Sequence, residues 1–312
     1  MSQRRVLAIC LLTGFTVAAC KGETGSRVAV DSAPAVATLP IVVESLATPE
    51  SAVHDTVQDV YLVSNINGGP TDQDANGFIS RIRPDGTVEA LRFIASGQNG
   101  VILNGPKGMA FRGDSLWVAD VTVMRAFSAR TGAPLGTIDL APHGAVFLND
   151  VATGPDGSIY ITDSGYEVAN GQFSHPGPDR IYRISPVGQV TVLMTGSQLG
   201  APNGITWDPG SNRLLMGPLS DSTIYAFAVG DTVLTPVVKG PGGYDGIEAL
   251  GGGRFVVSSL DAKSILVYQD GALRTVIDSL QDPADIGLDR KRGRVLIPSL
   301  GGNRLEIRSL PQ

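Results

Sequence analysis

The chain has 312 residues, a formal net charge of −6, 39 glycines, 20 prolines and two cysteines. An acidic balance argues against a nucleic-acid partner. So many turn formers, with no long run of helical period, exclude helix bundles and crossover-rich α/β folds and leave strands joined by tight turns.

The first twenty residues set the expected compartment. Arg4 and Arg5 precede an apolar run from Val6 to Val17, and Val17-Ala18-Ala19-Cys20 places small residues before a cysteine. The run is too short to cross about 30 Å of hydrocarbon as a helix, so residues 1–19 read as a signal peptide rather than a span. The small residues before Cys20 resemble a lipobox, which makes Cys20 the lipidated residue of an exported bacterial lipoprotein. Lys21 follows it, so no aspartate retention signal is present, and the expected address is the outer membrane, facing the periplasm or the cell surface. Cys10 leaves with the signal, so the mature chain has no thiol for a disulfide or a nucleophile. Its charge becomes −8, because residues 1–19 carry Arg4, Arg5 and no acid. Residues 20–38 are small and polar and read as the lipidated end and a flexible tether. The folded domain is expected over residues 39–312, as a monomer touching the membrane only through its lipid.

From residue 49 onward one pattern recurs: an apolar run, an Asp/Gly turn, and another apolar run. The six copies begin at Pro49, Pro106, Leu148, Pro202, Tyr244 and Pro283, at spacings of 57, 42, 54, 42 and 39 residues. Each opens with a hairpin and continues into a third and fourth strand, as in Phe78 to Arg83 and Val88 to Phe93 across Pro84-Asp85-Gly86. Four strands per unit of about 40 residues is the signature of a propeller blade, and six units make a six-bladed all-β propeller. The last unit supplies only three strands before Gln312. An open edge there would invite aggregation, so Pro40 to Leu46 is expected to pair beside Arg304 to Leu310 and close the ring.

The innermost strand of each blade lines the axis, with alternate side chains pointing inward. The second position of each repeat reads Glu50, Lys107, Asn149, Asn203, Asp245 and Ala284, a polar ring. Two residues on come Ala52, Met109, Val151, Ile205, Ile247 and Ile286, an apolar plug. Four oxygen donors above a dry floor, with neither His nor Cys among them, suit a hard divalent cation: calcium foremost, with magnesium, manganese or zinc as alternatives. Lys107 on the same ring reads as an ion-pair partner of Glu50 or Asp245, or as a cation for an anionic substrate group.

Leu-Asn-Asp-Val-Ala at 148–152, Pro-Asn-Gly at 202–204, Tyr-Asp-Gly at 244–246 and Pro-Glu-Ser at 49–51 together resemble the senescence marker protein/gluconolactonase family, in its regucalcin-like form. The resemblance implies a six-bladed propeller in which Glu50, Asn149, Asn203 and Asp245 hold one divalent metal. It also implies hydrolysis of a small-molecule lactone or related ester, with Asp245 as the base that takes a water proton; Asp150, which alternation turns away from the axis, is the second candidate for that role or else a structural carboxylate bonding a neighbouring blade. Two residues before Asn149, where such members carry a sugar-binding arginine, this chain has Phe147. That departure directs the expectation toward less polar substrates. A non-catalytic propeller that binds a ligand or protein at the envelope is the alternative reading.

Asn65 and Asn67 stand at a strand end from which they would either line the mouth beside Lys107 and Phe147 or serve as turn residues. Asp72-Gln73-Asp74-Ala75-Asn76-Gly77 copies the first half of a calcium loop, but position twelve is Arg83, so a rim loop is expected there. The insertion from Gly165 to Asp179, carrying Phe173 and His175, is expected to overhang the channel mouth. His54, His143 and His175 are too scattered for a zinc signature, and no Gly-x-Ser-x-Gly elbow is present.

Overall fold

A computed structural model describes residues 39–169 and 172–311. The expected signal peptide, Cys20 and the tether lie outside the described residues. Six four-stranded antiparallel sheets are arranged as the blades of a propeller. Their inner strands are Pro49–Asp55, Pro106–Arg112, Leu148–Thr153, Pro202–Asp208, Tyr244–Gly251 and Gly287–Asp289. Within the first five blades the strands follow chain order from the axis outward. In the sixth, Gly287–Asp289, Arg294–Ser299 and Arg304–Ser309 come from the end of the chain, and Ile41–Val43 supplies the outer strand. Its register sets Ile41 opposite Ile307 and Val43 opposite Leu305, so the ring is closed by the N-terminal strand as the strand count requires.

No blade has a core of its own. Each sheet has two apolar faces, and six hydrophobic clusters fill the six gaps between neighbours. The closing strand contributes Val43, which packs with Tyr61 and Val63 of the first blade and Leu305 of the sixth. The same two blades are tied at their lower ends. There the Tyr61 hydroxyl donates to Asp289 Oδ2 at 2.6 Å, and Arg292 bridges Asp59 at 2.6 Å and Asp289 at 2.8 Å.

The simple alternation read from the sequence breaks where it matters most. In each of the first five blades the inner strand gains one residue against its partner: Pro49 faces Asn65 but Ala52 faces Val63, and the same shift recurs at 106/109, 148/151, 202/205 and 244/247. Such a bulge re-aims side chains and leaves a ladder N–H unpaired. Three blades satisfy it with a hydroxyl from the second strand. Ser51, Asp150 and Gly246 donate their N–H groups to Ser64 Oγ, Thr162 Oγ1 and Ser258 Oγ at 2.8, 2.9 and 2.9 Å. Thr162 and Ser258 then donate to the carbonyls of Asn203 and Ala284 in the next blade, at 2.7 and 2.8 Å. At the axis the strands crowd so closely that a Cβ on Gly204 would collide with the Asp245 carbonyl, and one on Gly246 with Ile286 N.

The second strand of every blade therefore ends in a working triplet: Ser64-Asn65-Ile66, Ala119-Asp120-Val121, Thr162-Asp163-Ser164, Gly217-Pro218-Leu219, Ser258-Ser259-Leu260 and Pro298-Ser299-Leu300. Where the first residue carries a hydroxyl, it staples the bulge. In every blade but the fourth, where it is Pro218, the second secures the loop that leads into the inner strand. Asp120 accepts from Asn104 N and Gly105 N, and Asp163 from Val146 N and Phe147 N.

Candidate functional site

The bulges turn Glu50, Lys107, Asn149, Asn203 and Asp245 into one cavity of about 500 Å³, at the end of the channel where the inner strands begin. All five side chains are buried. Glu50 Oε2, Asn203 Oδ1 and Asp245 Oδ1 are buried without a hydrogen-bond partner. Asn149 is oriented by Ser164, whose Oγ accepts from Asn149 Nδ2 at 3.0 Å and itself donates to the Pro202 carbonyl at 2.8 Å. That leaves the Asn149 amide oxygen as the group available to a ligand. Ser164 was not singled out in the sequence, yet its place in the triplet, where the other five blades carry an aliphatic residue, marks it.

Burial pushes the Glu50 carboxyl well above its usual range, and the charges of Asp245 and Asp285 push it further while Lys107 pulls it back. Asp245 is raised in the same way, first by burial and then by Asp285, with a hydrogen bond from Asn203 opposing. Two buried carboxylates with orphaned oxygens are an expensive arrangement unless positive charge joins them. No Lys107–carboxylate pair closes within 4 Å to supply it. The donor set of two carboxylates and two amide oxygens fits a divalent hard cation. No group of three or more His, Cys, Asp or Glu side chains at metal-holding separation occurs among the described residues, in keeping with a ring whose other two donors are amides.

Lys107 does a different job from the ion pairing expected of it. Only 1% exposed, it donates from Nζ to the carbonyls of Pro70 at 3.1 Å and Gly105 at 3.2 Å, and sits 4.5 Å from the centre of the Phe147 ring. Backbone carbonyls and an aromatic face hold this cation, which anchors the rim loop and supports Phe147 rather than reaching out to substrate. Burial lowers its pKa, with the charge of Glu50 acting against that.

Asn65 does not reach the mouth. It is fully buried, with Oδ1 accepting from Ala47 N and Nδ2 donating to the Val63 carbonyl and Ser80 Oγ, all at 3.0 Å. As the second member of its triplet it is a loop cap, which alternation alone could not reveal. Asp150 is likewise occupied. Its Oδ2 accepts from Ile205 N at 2.7 Å and its Oδ1 from Val151 N at 2.6 Å, and it borders a separate cavity of about 310 Å³ at the other end of the channel. Carboxylate oxygens spent on backbone donors join the third blade to the fourth and are unsuited to taking a water proton. In the half calcium loop, Asp72 accepts from Gly69 N and Asp74 from Asn76 N, so these carboxylates shape the rim itself.

Met109, Val151, Ile205, Ile247 and Ile286 form the apolar plug and border the lower cavity. Above the ring the insertion folds into a short hairpin, Glu167–Ala169 with Gln172–Ser174, and brings Tyr166 and Phe173 to the mouth beside Phe147. The three rings meet edge to face, with centroids 6.3 Å apart for Phe147 and Tyr166 and 6.2 Å for Tyr166 and Phe173. His175, its Nε2 2.6 Å from Asp179 Oδ1, stacks obliquely on Tyr166 and sets the base of the hairpin.

Residues 95–279, more than half of the chain, match the family model described as SMP-30/Gluconolactonase/LRE-like region. Among curated proteins none matches the sequence. Among solved structures, a gluconolactonase from Xanthomonas campestris is 19% identical over 87% of this chain and 90% of its own, with a TM-score of 0.62. A luciferin-regenerating enzyme is 12% identical over 87% and 96%, with a TM-score of 0.63. Virginiamycin B lyase from Staphylococcus aureus is 12% identical over 87% and 100%, at 0.53. At such identities the likeness to each structure is one of fold, whereas the family match rests on the sequence itself. A six-bladed ring with this axial donor set and a family model spanning most of its blades lead to one conclusion: the chain belongs to the SMP-30/gluconolactonase/LRE-like family.

Proposed function

We propose that the upper cavity hydrolyses a lactone or related ester, with one divalent cation held by Glu50, Asn149, Asn203 and Asp245. The observation that carries this reading is the set of buried, unpartnered oxygens on Glu50, Asn203 and Asp245 beneath a cavity large enough for a small molecule. When bound, a cation there would supply charge that polarises a carbonyl and eases the loss of a water proton. With one oxygen of Asp245 turned to the cation the other is left to act as base, and burial makes this carboxylate a stronger base than an exposed one. It takes the proton as the water oxygen attacks the carbonyl carbon, and returns it to the ring oxygen as the C–O bond breaks, giving a hydroxy acid. Ser164 fixes the Asn149 amide, and Tyr166 and Phe173 of the hairpin line the mouth above the reacting carbonyl.

The purified protein should carry close to one equivalent of divalent metal and turn over members of a lactone and aryl-ester panel. Chelation should abolish turnover, and Asn203→Ala should lose both metal and activity. Full activity in Asn203→Ala would overturn the ring mechanism. Stoichiometric metal with no turnover on any class would reduce the site to a ligand-binding one.

A further inference from the structure

The third residue of the strand-end triplet points to the substrate. In five blades it is a branched aliphatic, and four of these, Ile66, Leu219, Leu260 and Leu300, line the upper cavity, whereas Val121 of the second blade does not. They form a collar directly above the polar ring. In the third blade the place is taken by Ser164, which serves Asn149, and the gap on that side is covered by Phe147, Tyr166 and Phe173. The cavity thus has a polar floor of five side chains and walls that are mostly hydrocarbon, with only the hydroxyls of Thr48 and Tyr166 among them, the latter already paired with Ser220 Oγ. Lys107, the cation nearest the walls, has its ammonium engaged by two carbonyls and an aromatic face.

We infer that the cavity selects a lactone or ester whose non-reacting part is an apolar chain, seated between the collar and the aromatic hairpin. The inference rests on the proposed hydrolytic reading for its polar head and on the collar alone for its chain. A polyhydroxylated substrate entering this space would exchange water for walls that offer few hydrogen-bonding groups, and every unpaired hydroxyl would weaken binding. A chain loses nothing on entry and gains with each methylene it buries. Phe173, 64% exposed at the hairpin, would gain cover from a longer chain, so the preference should continue beyond the shortest homologues.

Binding can be separated from turnover with 2-alkylcyclopentanones, which present a ring carbonyl but no scissile C–O bond. Calorimetry on the wild-type protein, with side chains from methyl to hexyl, should show affinity rising about fourfold per methylene, the ratio that burial of one CH₂ implies. The half-buried collar positions tolerate polar replacement, so Leu260→Asn with Leu300→Asn should flatten this slope, and Phe173→Ser should flatten its long-chain end. The matching γ-lactones should show kcat/KM rising with the same slope, above that of gluconolactone. Affinity independent of chain length, or tighter binding of gluconolactone than of the hexyl compound, would overturn the inference whatever the activity. A chain-length slope in binding without turnover of any γ-lactone would sustain the collar and sink the hydrolytic reading instead.

Discussion

At the upper end of the channel, Glu50 and Asp245 keep oxygens with no hydrogen-bond partner; at the lower end, Asp150 gives both of its oxygens to backbone N–H groups and Asp285 accepts the Ser51 hydroxyl at 2.5 Å. All four carboxyls are buried, and burial raises the pKa of every one of them. Burial and a raised pKa therefore do not distinguish a candidate reaction centre from a structural joint. The difference is whether the remaining lone pairs are already spent. At the lower end the carboxyls stitch neighbouring inner strands together, while at the upper end each keeps an oxygen that the described residues leave unpaired.

Removing what both ends share should have the largest effect. A chain beginning at Ala47 loses the strand Ile41–Val43, leaving Arg304–Ser309 as an open edge and taking Val43 and Leu46 out of the cluster between the first and sixth blades. It should aggregate, or melt at least about 10 °C below a chain beginning at Gly25. Equal melting temperatures would show that the ring holds without its closing strand.

Substitution should then split the two ends. Glu50→Ala and Asp245→Ala should abolish metal retention and lower kcat/KM by about 10³-fold, with little loss of stability. Asp150→Ala should instead retain metal and destabilise the fold by about 2–4 kcal/mol in denaturant titrations, because Ile205 N and Val151 N lose their acceptor. Metal loss in the Asp150 variant with Asp245→Ala unaffected would reverse the assignment of the two ends.

The smallest effect concerns pH. Burial pushes the Glu248 carboxyl, at the lower cavity, up to about 7, with Arg290 opposing. A carboxyl whose folded pKa lies above its unfolded value favours the folded state at low pH, and that contribution is lost as pH rises through the folded pKa. The wild type should accordingly lose stability between about pH 4.5 and 7. Glu248→Gln should match it at pH 4 and melt about 2 °C higher at pH 8. Glu50 and Asp245 have the same sign in metal-free protein, so added divalent cation at pH 8 should raise the melting temperature through the upper end and leave the Glu248→Gln difference intact. Loss of that difference on adding metal would mean that the two ends are not independent.

The repeats, the blade count and the ring closure were legible because each depends on chain spacing and on unpaired edges, which a sequence displays directly. The axial ring was legible for the same reason: one register, counted from each repeat start, collects Glu50, Asn149, Asn203 and Asp245. The bulges were not, since an extra residue in a strand leaves no mark in a period-two pattern. Of the two roles open to Asn65 the structure shows the turn-type one, a loop cap, and of the two open to Asp150 it shows the structural one, a joint to the neighbouring blade. Lys107 misled for another reason. Its partners are carbonyls of Pro70 and Gly105, and backbone groups are invisible to a reading that matches side-chain charges. The triplets could have been found, because aligning Thr162-Asp163-Ser164 with its five counterparts exposes the serine among aliphatics.

Those triplets also bear on how such a protein changes over generations. Three adjacent residues divide three tasks: bracing the bulge, pinning the loop, and facing the cavity. A mutation at the third position of the first, fourth, fifth or sixth blade alters what the cavity meets without touching the braces beside it, and these four positions surround one cavity. On the proposed hydrolytic reading, substrate preference can therefore drift by single amino-acid steps taken independently on separate blades, while the scaffold stays the same.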